Sequence, residues 1–137
     1  MNQRRETALK ALKRLLANGR LTAVPKRPAD QRLLVALAAA QMDADRSLLE
    51  GEVNEGLKAW LETISEPFGI DHVTLRRMLV DSRLLTRTSS GSMYQVNAAR
   101  MEEIEAVRGL EPVEVLAQVQ NERDLRKRQH QPELSRP

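Results

Sequence analysis

The chain has 137 residues and no cysteine, so disulfides, thiolate metal sites and thiol redox switches are excluded. Hydrophobic residues make up 41% and charged residues 30%, the balance of a globular chain with one core rather than of a disordered one. The net charge of +3 is uneven: residues 1–46 carry ten basic against four acidic side chains, residues 47–70 one against five, and residues 71–97 four against two. The first and third of these segments could meet a polyanion, although a solvated surface explains the same excess.

The opening MNQRRETALKALKRLL is amphipathic and lacks the apolar stretch and cleavage site of a secretory signal. No run approaches the roughly 18 apolar residues of a membrane span. A cytoplasmic location without membrane contact is expected. Ala8, Leu9, Leu12, Leu15 and Leu16 recur at helical spacing and predict a helix over 7–18, stopped by Gly19. The segment GRLTAVPKRP follows. Its prolines predict a stiff connector that exposes Lys26 and Arg27, two candidate phosphate contacts.

A second helix is predicted from Pro28 or Ala29 to Gln41, burying Leu33, Leu34, Leu37 and Ala38. After the turn MDADRS, residues 50–64 read as a third helix with the stripe Val53, Leu57, Trp60, Leu61 and Ile64. Its start has two readings. Ser47 and Glu50 have capping-box spacing; alternatively Leu48 and Leu49 form a short strand, the reading preferred here. SEPFGI breaks the chain, and Asp71 can cap a fourth helix over 71–82 that buries Leu75, Met78 and Leu79. Thr74, Arg76, Arg77 and Asp81 point elsewhere.

Leu84–Thr88 and Met93–Val96 alternate as strands, and SSGS between them has hairpin-loop chemistry. Asn97 can cap a helix over 98–108, Gly109 can stop it, and Pro112 suits the first turn of a helix over 112–128. Residues 129–137 read as a frayed tail.

Taken together, residues 1–28 form an N-terminal helix and connector, 29–96 a winged helix-turn-helix, and 97–128 C-terminal helices. The expected fold class is mainly α with a short β-hairpin wing. In such a fold the third helix of the winged unit can enter a major groove while the hairpin touches backbone or minor groove. Arginine suits both tasks. The candidate DNA-binding residues are therefore Thr74, Arg76, Arg77, Arg83 and Arg87, with Lys26 and Arg27. The competing reading of Arg76 or Arg77 is an ion pair with Asp81 or Glu52.

Three segments also resemble a known family: GRLTAVPKRP (19–28), EVNEGLKAW (52–60) and DHVTLRRMLVDSRLLTRTSSGSMYQV (71–96). They are similar to the bacterial domain-of-unknown-function family numbered twenty eighty-seven. The resemblance implies a small winged-helix-like domain associated with DNA binding and with regulators, and no catalytic residues. Two departures stand out. Leu48 and Leu49 replace an aromatic and a hydroxyl residue of the family, and the insertion around SEPFG is longer.

No enzyme constellation is legible. There is no Ser-His-Asp spacing, no Gly-rich phosphate loop and no H-E-x-x-H. Glu50, Glu52 and Glu55 have no matched partner group, and His72 and His130 lie far apart, so no cofactor or metal is expected. Trp60, Phe68 and Tyr94 are too few for a single-strand stacking platform. The expected function is binding of double-stranded DNA as a transcriptional regulator or accessory, with a homodimer built on the flanking helices. The alternative is a protein-interaction module that binds no DNA. No small-molecule site is evident.

Overall fold

Seven consecutive residues of the second helix, Leu33–Ala39, are apolar and all are buried, which makes that helix the axis of the core. The computed structural model describes residues 2–130. In chain order its elements are α1 (Asn2–Leu15), α2 (Pro28–Ala40), β1 (Leu48–Leu49), α3 (Glu50–Ile64), α4 (His72–Asp81), β2 (Leu85–Arg87), β3 (Met93–Val96), α5 (Met101–Glu105) and α6 (Pro112–His130). A single 3-10 turn, Ala98–Arg100, leads into α5. Residues 131–137 of the expected tail lie outside the described residues, and residues 129 and 130 still belong to α6.

The strands form one antiparallel sheet in the order β1-β3-β2. Leu48 stands opposite Tyr94 and Leu49 opposite Met93, while Leu85, Thr86 and Arg87 stand opposite Val96, Gln95 and Tyr94. The order α2-β1-α3-α4-β2-β3 with this sheet makes the fold mainly helical and winged-helix-like. Leu48 and Leu49 are thus the strand, and the Ser47–Glu50 capping box does not form. Leu49, which has no side-chain acceptor, precedes α3. The carboxylate of Glu52 reaches back to accept its backbone N–H at 3.1 Å.

Glu52 also binds the Arg46 guanidinium, and Arg46 in turn reaches Asp43 at 3.3 Å. The Arg46 hydrogen bond, joined by the Leu49 N–H, lowers the Glu52 carboxyl from 4.5 to about 2. A folded-state value below the unfolded one contributes stability above pH 4.5 that is lost as the pH falls towards 2. Glu52→Gln should therefore flatten the acid side of a plot of Tm against pH within that window. An unchanged acid limb would remove Glu52 from the account.

The helices outside the winged unit are not separate. Leu12 and Leu16 of α1, Ile104 of α5, Val107 and Leu110 after it, and Val115 of α6 are buried in the same cluster as α2, α3 and α4. α1 and α5 pack on α2, and α6 packs on α1 and α3. Much of the apolar surface that suggests a dimer through these helices is buried within the chain, while Val113 and Leu125 of α6 stay exposed. α1 begins at Asn2 rather than at Thr7. The Thr7 hydroxyl donates to the Gln3 carbonyl at 2.8 Å, and Arg4 pairs with Glu102 of α5 at 3.5 Å.

The connector between α1 and α2 is ordered, as its prolines suggest. Leu21 donates to the Ile64 carbonyl at 2.9 Å and accepts from the Glu66 N–H at 2.8 Å, which ties the connector to the end of α3. Among the described residues no helix is long and apolar enough to cross a membrane.

Candidate nucleic-acid interface

α4 is fixed at both ends by local hydrogen bonds. Asp71 accepts the backbone N–H of Thr74 at 3.2 Å and lies 3.4 Å from its hydroxyl, the N-cap that the sequence suggests. At the other end the Arg83 N–H donates to the Val80 carbonyl and the Leu84 N–H to the Leu79 carbonyl, both at 3.0 Å. These are the two bonds of a Schellman stop, with Arg83 in the left-handed position at φ +67°. Asn97 secures the junction by donating from its side chain to the Arg83 carbonyl at 2.7 Å.

Leu75 and Leu79 are fully buried and Met78 is half-buried, so the inward stripe is as expected. The outward face carries Thr74, Arg77 and Asp81, all exposed, with Val73 and Val80 half-buried at its edges.

Arg76 is not on that face. Its side chain is only 16% exposed and turns back over the sheet. One guanidinium nitrogen donates to Asn54 Oδ1, another lies 3.6 Å from Glu50 Oε1, and the guanidinium carbon sits 6.0 Å from the centre of the Tyr94 ring. The Tyr94 hydroxyl donates to the same Glu50 oxygen at 2.9 Å. Asn54 and Glu50 come from α3, Arg76 from α4 and Tyr94 from β3. Arg76 is thus the centre of a clamp that holds the wing against both helices. Neither Asp81 nor Glu52, the partners suggested by spacing, takes part.

In the wing, Leu85, Tyr94 and Val96 are buried while Thr86 and Gln95 are exposed. Arg87 stands opposite Tyr94. Paired residues share a sheet face, so Arg87 belongs to the inner face, beyond the end of the core. Its guanidinium curls towards Gly91 at the tip. The tip is ordered by hydroxyls: Thr88 lies 3.1 Å from Ser90, Ser90 lies 2.8 Å from Ser92, and the Met93 N–H donates to Thr88 at 3.2 Å.

The family model that matches residues 20–96 is described as an uncharacterized protein conserved in bacteria (DUF2087). The chain belongs to this family. No curated protein and no solved structure matches it. The DUF2087 region covers the connector, the winged unit and the whole clamp. Asn54, Arg76 and Tyr94 lie one each in the EVN, LRR and SGSMYQV stretches that carry the resemblance.

Of the seven candidate contacts, Arg77, Arg83 and Arg87 are exposed on α4, at its junction with the wing and on the wing. Among the described residues none of the three pairs with a carboxylate. Thr74 is exposed beside the cap. Lys26 and Arg27 are exposed at the start of α2, where Arg27 is the N-cap residue. No hydrogen bond or ion pair among the described residues joins them to α4 or the wing. The Glu50–Asn54–Tyr94 part of the clamp escapes sequence reasoning because its members are 22 to 44 residues from their partners.

Proposed function

We propose that the winged unit binds double-stranded DNA, chiefly through backbone phosphates, as a transcriptional regulator or accessory. Arg77, Arg83 and Arg87 make the charged contacts, and Thr74 and the serine-rich wing tip supply neutral donors. Lys26 and Arg27 extend the contact along the backbone. Arg76 positions the wing and touches no DNA.

The observation that carries this reading is Arg83. A left-handed residue at the stop of a helix is cheapest as glycine, and a side chain there costs on the order of 1 kcal/mol. The chain accepts that cost and keeps an exposed cation where α4 meets the wing. A strained residue with an exposed functional group points towards use. Asp71 and Asp81 share this surface with the three arginines, so its excess of positive charge is small. That fits modest, phosphate-led binding better than tight reading of bases.

Arg83→Gly separates the two consequences. Stability should stay level or rise by up to about 1 kcal/mol, while duplex affinity falls. A variant that is more stable and binds as well as the parent would show that Arg83 serves no contact.

A second reading, a winged helix that binds protein, draws on Val73 and Val80, which leave apolar surface beside Arg77. It expects no duplex binding even at low salt, and no response to removal of these arginines.

A further inference from the structure

Phe68 is the most exposed large apolar residue described, and its backbone is in the left-handed region at φ +63°. It sits in the turn Glu66-Pro67-Phe68-Gly69, closed by the Gly69 N–H donating to the Glu66 carbonyl at 2.9 Å. With proline second and a positive φ third, this is a type II turn, whose third position favours glycine or asparagine. Gly69 cannot trade places with Phe68. A Cβ on Gly69 would lie 2.9 Å from Ser65 Oγ and 3.0 Å from the carbonyls of Glu66 and Leu21. The chain therefore bears two costs at Phe68, a strained backbone and a bare phenyl ring in water, and no contact among the described residues offsets either.

The ring borders an open groove of about 690 Å³ whose floor includes Leu61 and Ile70. Arg20 and Lys58 stand on its walls, and so do Glu62, Glu66 and Asp71. Two cations against three carboxylates give no attraction for a polyanion, which argues against DNA at this place. The patch instead contains a projecting knob, an apolar hole and both signs of charge side by side. A surface that carries both halves of a joint suits a two-fold contact with itself.

We infer that the turn between α3 and α4 is a self-association site, in which Phe68 of each copy enters the groove of the other. The cations of each copy then meet carboxylates of the other across the two-fold axis. Arg77, Arg83 and Arg87 do not line the groove, so this inference does not rest on the duplex-binding reading. One buried phenylalanine covers about 150–250 Å² against the roughly 800 Å² per partner of a standard interface. The dimer is accordingly weak and reversible.

Sedimentation equilibrium of the full chain tests it between about 10 µM and 1 mM, which spans the range for a contact of this size. The expected result is a monomer–dimer equilibrium that Phe68→Gly weakens by about thirtyfold or more. The same substitution should raise Tm, because glycine relieves the strained turn. Charge variants give a second route: R20E/K58E and E62R/E66R should each lose self-association, and their equimolar mixture should recover a one-to-one dimer. A parent protein that stays monomeric throughout overturns the inference, as does a Phe68→Gly variant that dimerises like the parent. Loss of duplex binding in Phe68→Gly from a monomeric parent would also overturn it, and would assign the ring to DNA.

Discussion

Tyr94→Ala should destabilise the protein by about 3–5 kcal/mol, the cost of emptying an aromatic site in a closed core. The residue is 1% exposed and is among the largest fully buried side chains described. Its ring lies on β3, the central strand, and its hydroxyl reaches Glu50 on α3. Truncation therefore empties the space between sheet and helices and unties the wing at once. Tyr94→Phe keeps the ring and loses only the hydrogen bond, so it should cost about 1 kcal/mol. Urea unfolding of both variants checks the pair. Equal losses would show that the hydroxyl, and not the ring, carries the contribution.

Arg76→Ala should destabilise by about 2 kcal/mol, because it removes a charge-assisted hydrogen bond and an ion pair from a largely buried guanidinium. Asn54 and Glu50 each lose a partner, and the ring of Tyr94 loses its cation. The neighbouring Arg77→Ala should change stability by no more than about 0.5 kcal/mol, since its side chain is exposed and unpaired among the described residues. Adjacent arginines on one helix thus have opposite expected outcomes. A double-mutant cycle between Arg76 and Tyr94 should return a coupling of about 0.5–1.5 kcal/mol. Near-zero coupling with additive losses would dissolve the clamp into independent contacts.

Periodicity made most of the fold legible. The stripe Val53, Leu57, Trp60, Leu61 and Ile64 is buried throughout, Asp71 caps the helix expected of it, and the two wing strands pair. Asn97 caps a 3-10 turn, Ala98–Arg100, and the helix expected over 98–108 is α-helical only over Met101–Glu105. α2 was half legible. Spacing puts Leu33, Leu34, Leu37 and Ala38 on a buried face, but a helix apolar on nearly every side has no single face, and all of Leu33–Ala39 is inside. The start of α1 is not legible in the sequence because residues 2–6 are all polar and show no stripe. The helix there is supported by the Thr7–Gln3 bond and the Arg4–Glu102 pair.

The candidate site was legible in residue type but not in direction. Helical spacing places Arg76 off the Leu75–Leu79 stripe, which predicts exposure. It cannot reveal Asn54 and Glu50 waiting on another helix. The strain at Phe68 left a trace in E-P-F-G, since proline second in a turn can ask for a positive φ in the third place. The adjacent glycine disguised which residue would supply it.

The central claim is that Arg76 is scaffold while Arg77, Arg83 and Arg87 meet phosphates. The most direct measurement is duplex binding by the parent protein and by the Arg77/Arg83/Arg87 triple alanine variant, each titrated with salt. Loss of three phosphate contacts predicts that the slope of the logarithm of the binding constant against that of salt concentration is shallower by about 3 in the variant than in the parent. Contributions from Lys26 and Arg27 would steepen both slopes equally. Absence of duplex binding by the parent at about 50 mM salt, or an unchanged slope in the triple variant, would contradict the account.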